Sequence, residues 1–244
     1  VVHFAAESHV DRAIQDAAIF LRTNVLGTHA LLEAARKNDV KKFICISTDE
    51  VYGHILKGSF TEESVLNPRN PYAASKAGEE RLAYSYSQTY GMNVCITRSS
   101  NNFGPYQFPE KMLPLFVTNL IRGKKVPVYG DGMNVRDWLF VEDNCRGIDL
   151  VLQKGERGEV YNIAGEHELP NIEMTKMVLE KMGKGNDFIQ YVEDRKGHDK
   201  RYSIDSHKIK QLGFSRSQSF ERRLAETIQW YEQNEWWWKP LVKG

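Results

Sequence analysis

The sequence has little of several things, and each shortage excludes a class of function. Only three cysteines occur in 244 residues, Cys45, Cys95 and Cys145, odd in number and widely spaced. That spacing gives neither a disulfide framework nor a CxxC motif. All three lie in or near apolar segments, so buried thiols and a reducing, cytoplasmic location are expected. The seven histidines include no HxxxH pair, and no metal site is expected. No apolar run approaches the roughly 20 residues that span a bilayer. Net charge is only +1, with both signs mixed along the chain, which argues against nucleic acid or an anionic membrane as partner. Gly/Ser linkers, low-complexity tracts and internal repeats are missing too. What is present is a globular composition, 41% hydrophobic and 27% charged, enough for a substantial core.

Apolar runs alternate with helical stretches. Residues 1–4 read as a strand that opens without Met or a polar lead-in, so the sequence is expected to be a fragment lacking its first part. A helix over about 17–37, a strand at 43–47, a loop over 53–71, a helix over 72–90 and a strand at 94–97 follow. This order predicts a parallel sheet with right-handed crossovers. Beyond residue 105, short strands at 126–129, 137–141, 160–163 and 188–192 are interleaved with helices near 111–122, 142–153, 171–182 and 220–234. Asn171 is the expected N-cap of its helix. Two closely packed lobes are predicted, 1–105 and 106–244, the second returning some segments to the first, with a ligand cleft between them. The aromatic run Glu235-Trp236-Trp237-Trp238-Lys239-Pro240 reads as a packing tail.

Two segments carry the chemistry. In the first, Phe43-Ile44-Cys45-Ile46 is a buried-strand run that ends in Ser47-Thr48-Asp49-Glu50. Ligands in open α/β sheets bind at the carboxyl ends of strands. In the second, Tyr72 and Lys76 stand four residues apart at a helix start and so share one face. A phenol beside an ammonium suits removal of a proton from a hydroxyl. Arg98-Ser99-Ser100-Asn101-Asn102 gives a third polar strand end. A free tyrosine has a pKa near 10; useful basicity at neutral pH needs a fall of roughly 3 units, about 4 kcal/mol.

These motifs, with Ala5-Ala6-Glu7-Ser8-His9-Val10-Asp11-Arg12, Ser100-Asn101-Asn102-Phe103-Gly104-Pro105-Tyr106, Asn134-Val135-Arg136-Asp137-Trp138 and Asp194-Arg195-Lys196-Gly197-His198-Asp199, resemble the extended short-chain dehydrogenase/reductases. Within them the chain is similar to the dTDP-glucose 4,6-dehydratases. The resemblance implies a Rossmann-type doubly wound parallel sheet, its N-terminal strands absent here, with a smaller C-terminal α/β substrate lobe. It implies NAD, held by Phe4, Ala5, Ala6, Glu7, Ser8, Thr23, Tyr72, Lys76 and Asn102. It assigns a dTDP-glucose substrate to Ser8, Thr48, Asn101, Lys111, Pro127, Tyr129, Arg136, Asn171, Arg195 and His198, with Arg136 and Arg195 on the diphosphate. Tyr72, aided by Lys76 and the nicotinamide charge, would take the 4-hydroxyl proton while Thr48 holds the same oxygen. Glu50 would be the base at C5 and Asp49 the acid at the leaving 6-hydroxyl. A homodimer is implied, through the helices near 17–37 and 72–90. A related epimerase or decarboxylase, or an inactive truncated binding protein, is the alternative.

Overall fold

The computed structural model describes residues 1–242. Its strands are β1 (Val2–His3), β2 (Phe43–Thr48), β3 (Val94–Ser99), β4 (Asn101–Phe103), β5 (Val126–Tyr129), β6 (Val135–Phe140), β7 (Val160–Ile163), β8 (Glu168–Pro170) and β9 (Ile189–Val192). The chain divides into two compact units, the first made of 1–100, 144–164 and 201–215, the second of 101–143, 165–200 and 216–244.

Unit 1 is built on a sheet of order β1-β2-β3-β7, parallel throughout, as the alternation predicts. Every side chain of β3 is buried, which is why it opens on an apolar run, Val94-Cys95-Ile96, rather than an alternating one. The helix Pro71–Tyr90 packs on β2 and β3, and Leu32, Ala35, Phe43, Cys45, Ala83, Tyr86, Val94 and Ile96 form the core around them. This helix starts as its sequence directs: Asn70 is the N-cap, accepting the Ala73 N–H at 2.8 Å, and Pro71 occupies the first turn. Proline there loses no helical hydrogen bond.

The expected 17–37 helix is interrupted. An α-helical turn at Ala17–Phe20 widens into a π-helical segment, Leu21–Leu26, before α-helix resumes at Gly27–Lys37. The cause is Asn24, which is fully buried and hydrogen-bonded to Glu7 and Ser75. A widened turn accommodates side-chain demands that a regular helix does not meet.

Unit 2 has a three-stranded sheet of order β4-β6-β8 and a two-stranded sheet of β5 and β9. Its core includes Phe103, Phe116, Trp138, Met174, Leu224, Tyr231 and Trp238. β4 and β8 were not predicted; each has three residues, and Asn101-Asn102 offers no apolar alternation. Asn171 is not the N-cap of its helix: Pro170 takes that position in an extended conformation, and Asn171 is the first helical residue. In the aromatic run only Trp238 is fully buried, its indole donating to the Tyr231 carbonyl at 2.8 Å, whereas Trp236 is exposed.

Cys45 and Cys95 are buried as expected, but Cys145 is exposed, because it lies on the outer face of the amphipathic helix Val141–Lys154. Among the described residues no helix is long and apolar enough to cross a membrane, and no cluster of potential metal ligands is found.

Candidate active site

In unit 1 the site begins where β2 ends. The Thr48 hydroxyl oxygen accepts the Glu50 N–H at 3.3 Å and caps a short 3-10 helix, Asp49–Tyr52. Such a cap contributes about 1 kcal/mol. Gly53 then closes the turn at φ 79°, and a Cβ there would stand 2.5 Å from the Asn67 carbonyl oxygen, so glycine is required. The turn is fastened from below by Tyr52. Its phenol donates to Asn162 Oδ1 at 2.9 Å and accepts from Arg98 at 2.5 Å.

Of the polar groups at the third strand end, Arg98 turns out to be used within the fold. It is buried and forms a two-pronged pair with Glu80 at 3.0 and 2.5 Å. A guanidinium on a strand buried on both faces needs such a carboxylate, since burying an unpaired charge is prohibitive. It braces the site and does not line it.

Around the turn the predicted catalytic side chains meet. Tyr72 shares a hydrogen bond with the Thr48 hydroxyl, and Glu50 and Asp49 act on it electrostatically. Asp49 Oδ1, 3.3 Å from the Thr48 hydroxyl, is the alternative acceptor for its one hydrogen. Asp49, Thr48 and Tyr72 are buried, and Glu50 is half-buried. Two residues that sequence reasoning missed hold Glu50. Its Oε2 accepts from Asn70 Nδ2 at 3.1 Å and from the Tyr202 hydroxyl at 3.3 Å. Because Asn70 Oδ1 is occupied in capping the helix, its amide N–H₂ is left to face Glu50.

Burial pushes the Tyr72 phenol well above its ordinary pKa, and the Glu50 carboxylate adds to that, while the Thr48 hydrogen bond opposes it. Lys76, on the same helix face, is buried too. Its Nζ donates to the Ile46 carbonyl and to Glu79 Oε2, both at 2.6 Å. The cation expected to ease Tyr72 ionisation thus already has a carboxylate partner.

Next to this cluster, the segment after β1 is pinned by Asn24. Asn24 Oδ1 accepts the Glu7 N–H at 2.8 Å, and its amide donates to the Glu7 carbonyl at 3.0 Å and to Ser75 Oγ at 2.8 Å. Phe4, Ala5 and Ser8 are exposed, and Ala6, Glu7 and Thr23 half-buried. A fixed backbone with two alanine side chains suits close approach of a flat ring to peptide groups at the carboxyl end of a strand. These residues fit a dinucleotide's nicotinamide half.

In unit 2 several predicted substrate residues gather. Arg136 on β6 is buried and donates to the Val135 carbonyl at 2.7 Å and the Asp199 carbonyl at 3.0 Å. His198 pairs with Asp194 Oδ1 at 2.6 Å and meets the Tyr129 ring edge-on, with centroids 6.1 Å apart. Burial, then the Arg195 charge, and to a smaller extent Arg136, hold the His198 pKa down at about 4 against the pull of Asp194. His198 is therefore neutral near pH 7 and adds no charge to the two guanidiniums. Pro127 lies in β5 with Tyr129. Asn171 is tied in through its N–H, which donates to the Asn134 carbonyl at 2.9 Å. Asn101 and Asn102 lie in β4, where Asn101 is in register with Trp138 of β6. Lys111 is the N-cap residue of the helix Met112–Ile121.

Known proteins resemble this chain along nearly its whole length. The family model described as GDP-mannose 4,6 dehydratase matches residues 1–227. A dTDP-glucose 4,6-dehydratase of Streptomyces antibioticus is 53% identical over 244 residues, covering 100% of this chain and 73% of the relative. The crystal structure of a dTDP-glucose 4,6-dehydratase from Streptomyces venezuelae, with NAD bound, matches with a TM-score of 0.98 at 53% identity, over 99% of this chain and 75% of that one. A dTDP-glucose 4,6-dehydratase from Bacillus anthracis in complex with NAD matches with a TM-score of 0.91 at 49% identity, over the same shares of each chain.

Proposed function

The chain belongs to the GDP-mannose 4,6 dehydratase family, and from that premise we propose that it is an NAD-dependent dTDP-glucose 4,6-dehydratase. The product is dTDP-4-keto-6-deoxyglucose, with release of one water. The observation that carries the reading is the meeting of Asp49 and Glu50 with the Tyr72–Thr48 pair. Oxidation of an alcohol alone would need only the latter.

NAD, when bound, supplies the oxidising and then the reducing equivalents at the sugar. Phe4 to Ser8, Thr23, Tyr72 and Lys76 are the residues of unit 1 that would hold it. Tyr72 takes the proton of the 4-hydroxyl, and Thr48 fixes that oxygen by a hydrogen bond. With C4 a ketone, the C5 proton is acidic, and Glu50, steadied by Asn70 and Tyr202, removes it. Asp49, buried beside Thr48, gives a proton to the departing 6-hydroxyl, which leaves as water. Ser8 of unit 1 also contacts the sugar. In unit 2, Arg136 and Arg195 take the diphosphate oxygens in their guanidinium forks, with His198 as a neutral hydrogen-bonding group. Asn101, Lys111, Pro127, Tyr129 and Asn171 complete the sugar and base contacts.

Incubation of the full-length protein with NAD and dTDP-glucose is expected to yield a product that absorbs in strong alkali, as 4-keto sugars do. Recovery of a 4-epimer would instead make the protein an epimerase. A homodimer is part of the same reading, supported by the exposed Ile19, Leu21, Leu26 and Leu31 along residues 17–37. Sedimentation of that preparation as a monomer would remove it. A cytoplasmic setting is part of the same reading, in keeping with the buried free thiols of Cys45 and Cys95.

A further inference from the structure

Beneath the catalytic face of the helix Pro71–Tyr90 lies a group for which the proposed chemistry has no use. Glu79 is fully buried. Its Oε2 accepts from Lys76 Nζ at 2.6 Å, and that nitrogen also donates to the Ile46 carbonyl at 2.6 Å. Its Oε1 lies 3.5 Å from Cys45 Sγ and 3.9 Å from His3 Nε2. His3 is itself engaged with the Thr28 hydroxyl at 2.8 Å. A buried ion pair is weak evidence of a stabilising purpose, since an apolar pair of similar volume often serves as well. Here the pair includes Lys76, on the face that carries Tyr72.

We propose that Glu79 is a positioning residue for the reaction: it clamps Lys76 Nζ against the Ile46 carbonyl and offsets part of the ammonium charge that Tyr72 would otherwise meet. The inference rests on Tyr72 acting as the base.

From β1, His3 faces Glu79; burial and the Lys76 charge push its pKa down, so it adds no cation. From β2, the Cys45 thiol is pushed up by burial and stays neutral. From the helix itself come Tyr72, Lys76 and Glu80, the last already paired with Arg98. Asp49 and Glu50 act from the turn after β2. Among the described residues the local balance, apart from the Glu80–Arg98 pair, is therefore one cation, Lys76, against Glu79 and the two site carboxylates. Burial raises the Glu79 carboxyl, and Lys76 opposes that rise. For Tyr72 the sign is plain: a nearby negative charge disfavours the phenolate, and Glu79 is among the groups that raise its pKa.

Glu79→Gln removes that charge with little change of shape. The acid limb of the kcat/KM profile for dTDP-glucose turnover is then expected to move about one unit to lower pH, a tenfold change at a fixed pH on the limb. Glu79→Ser should move it the same way. Glu79→Asp, which keeps the charge, should leave the limb in place while lowering kcat through poorer clamping. A limb unmoved in both neutral variants, with activity merely reduced, overturns the proposal. In the wild-type protein, the ¹³C resonance of the Glu79 carboxyl should report a carboxylate over the pH range where activity rises. A protonated carboxyl there overturns the proposal whichever variants fold. A wild-type protein with no dehydratase turnover is a failure of the functional reading instead, seen before any variant is made.

Discussion

Replacing Glu50 with glutamine is expected to lower turnover of dTDP-glucose by about 10²–10⁴-fold, the usual contribution of a positioned general base. The amide keeps the size of the side chain and can still accept from Asn70 and Tyr202, which bond to Oε2 in the native site. What it lacks is the lone-pair basicity needed to take a proton from carbon. The specific readout is exchange: wild-type protein in D₂O should place deuterium at C5 of the product, and the variant should do so only at its residual rate. Thermal stability should barely change, because Glu50 is half-buried and outside the core clusters. Near-normal turnover in the variant would remove Glu50 from the mechanism. Removing its charge also takes away the second-largest cause that raises the Tyr72 phenol, so any remaining activity should reach its plateau at lower pH.

Arg98→Met should cost about 3–5 kcal/mol of folding stability, the usual effect of removing one partner from a buried ion pair. Glu80 would be left fully buried with the exposed Arg81, at 3.3 Å, as a cationic neighbour. Tyr52 would lose the guanidinium that anchors it under the turn bearing Asp49 and Glu50. Urea denaturation should show the loss as a lower midpoint with little change in slope. The double variant Arg98→Met/Glu80→Leu should recover much of that stability, since the uncompensated charge goes with its partner. Equal instability in the single and double variants would mean that the pair is not the source of the effect.

How much of this was legible in the sequence varies with the range of the interaction. The strand runs at 43–47 and 94–97, which the structure extends to Thr48 and Ser99, and the shared face of Tyr72 and Lys76 depend on neighbours within a few residues, and all were readable. The π-helical segment at Leu21–Leu26 was not, since it answers to Asn24 reaching Ser75, 51 residues away. Arg98 looked like part of a ligand-bearing strand end because its neighbours are polar. Only the burial of both faces of β3, and Glu80 on the helix across from it, show that its charge is consumed within the fold.

The sequence by itself determined which chemical groups stand together at the end of β2 and on the first two turns of the helix at Pro71–Tyr90, because local periodicity and capping dictate those directions. Tertiary structure alone decided what surrounds them. Tyr202 comes to Glu50 from 152 residues along the chain, and β1 and β2 bring His3 and Cys45 to Glu79. Charge and solvation at a buried site are set by whatever packs against it in space, and one-dimensional spacing holds no record of that.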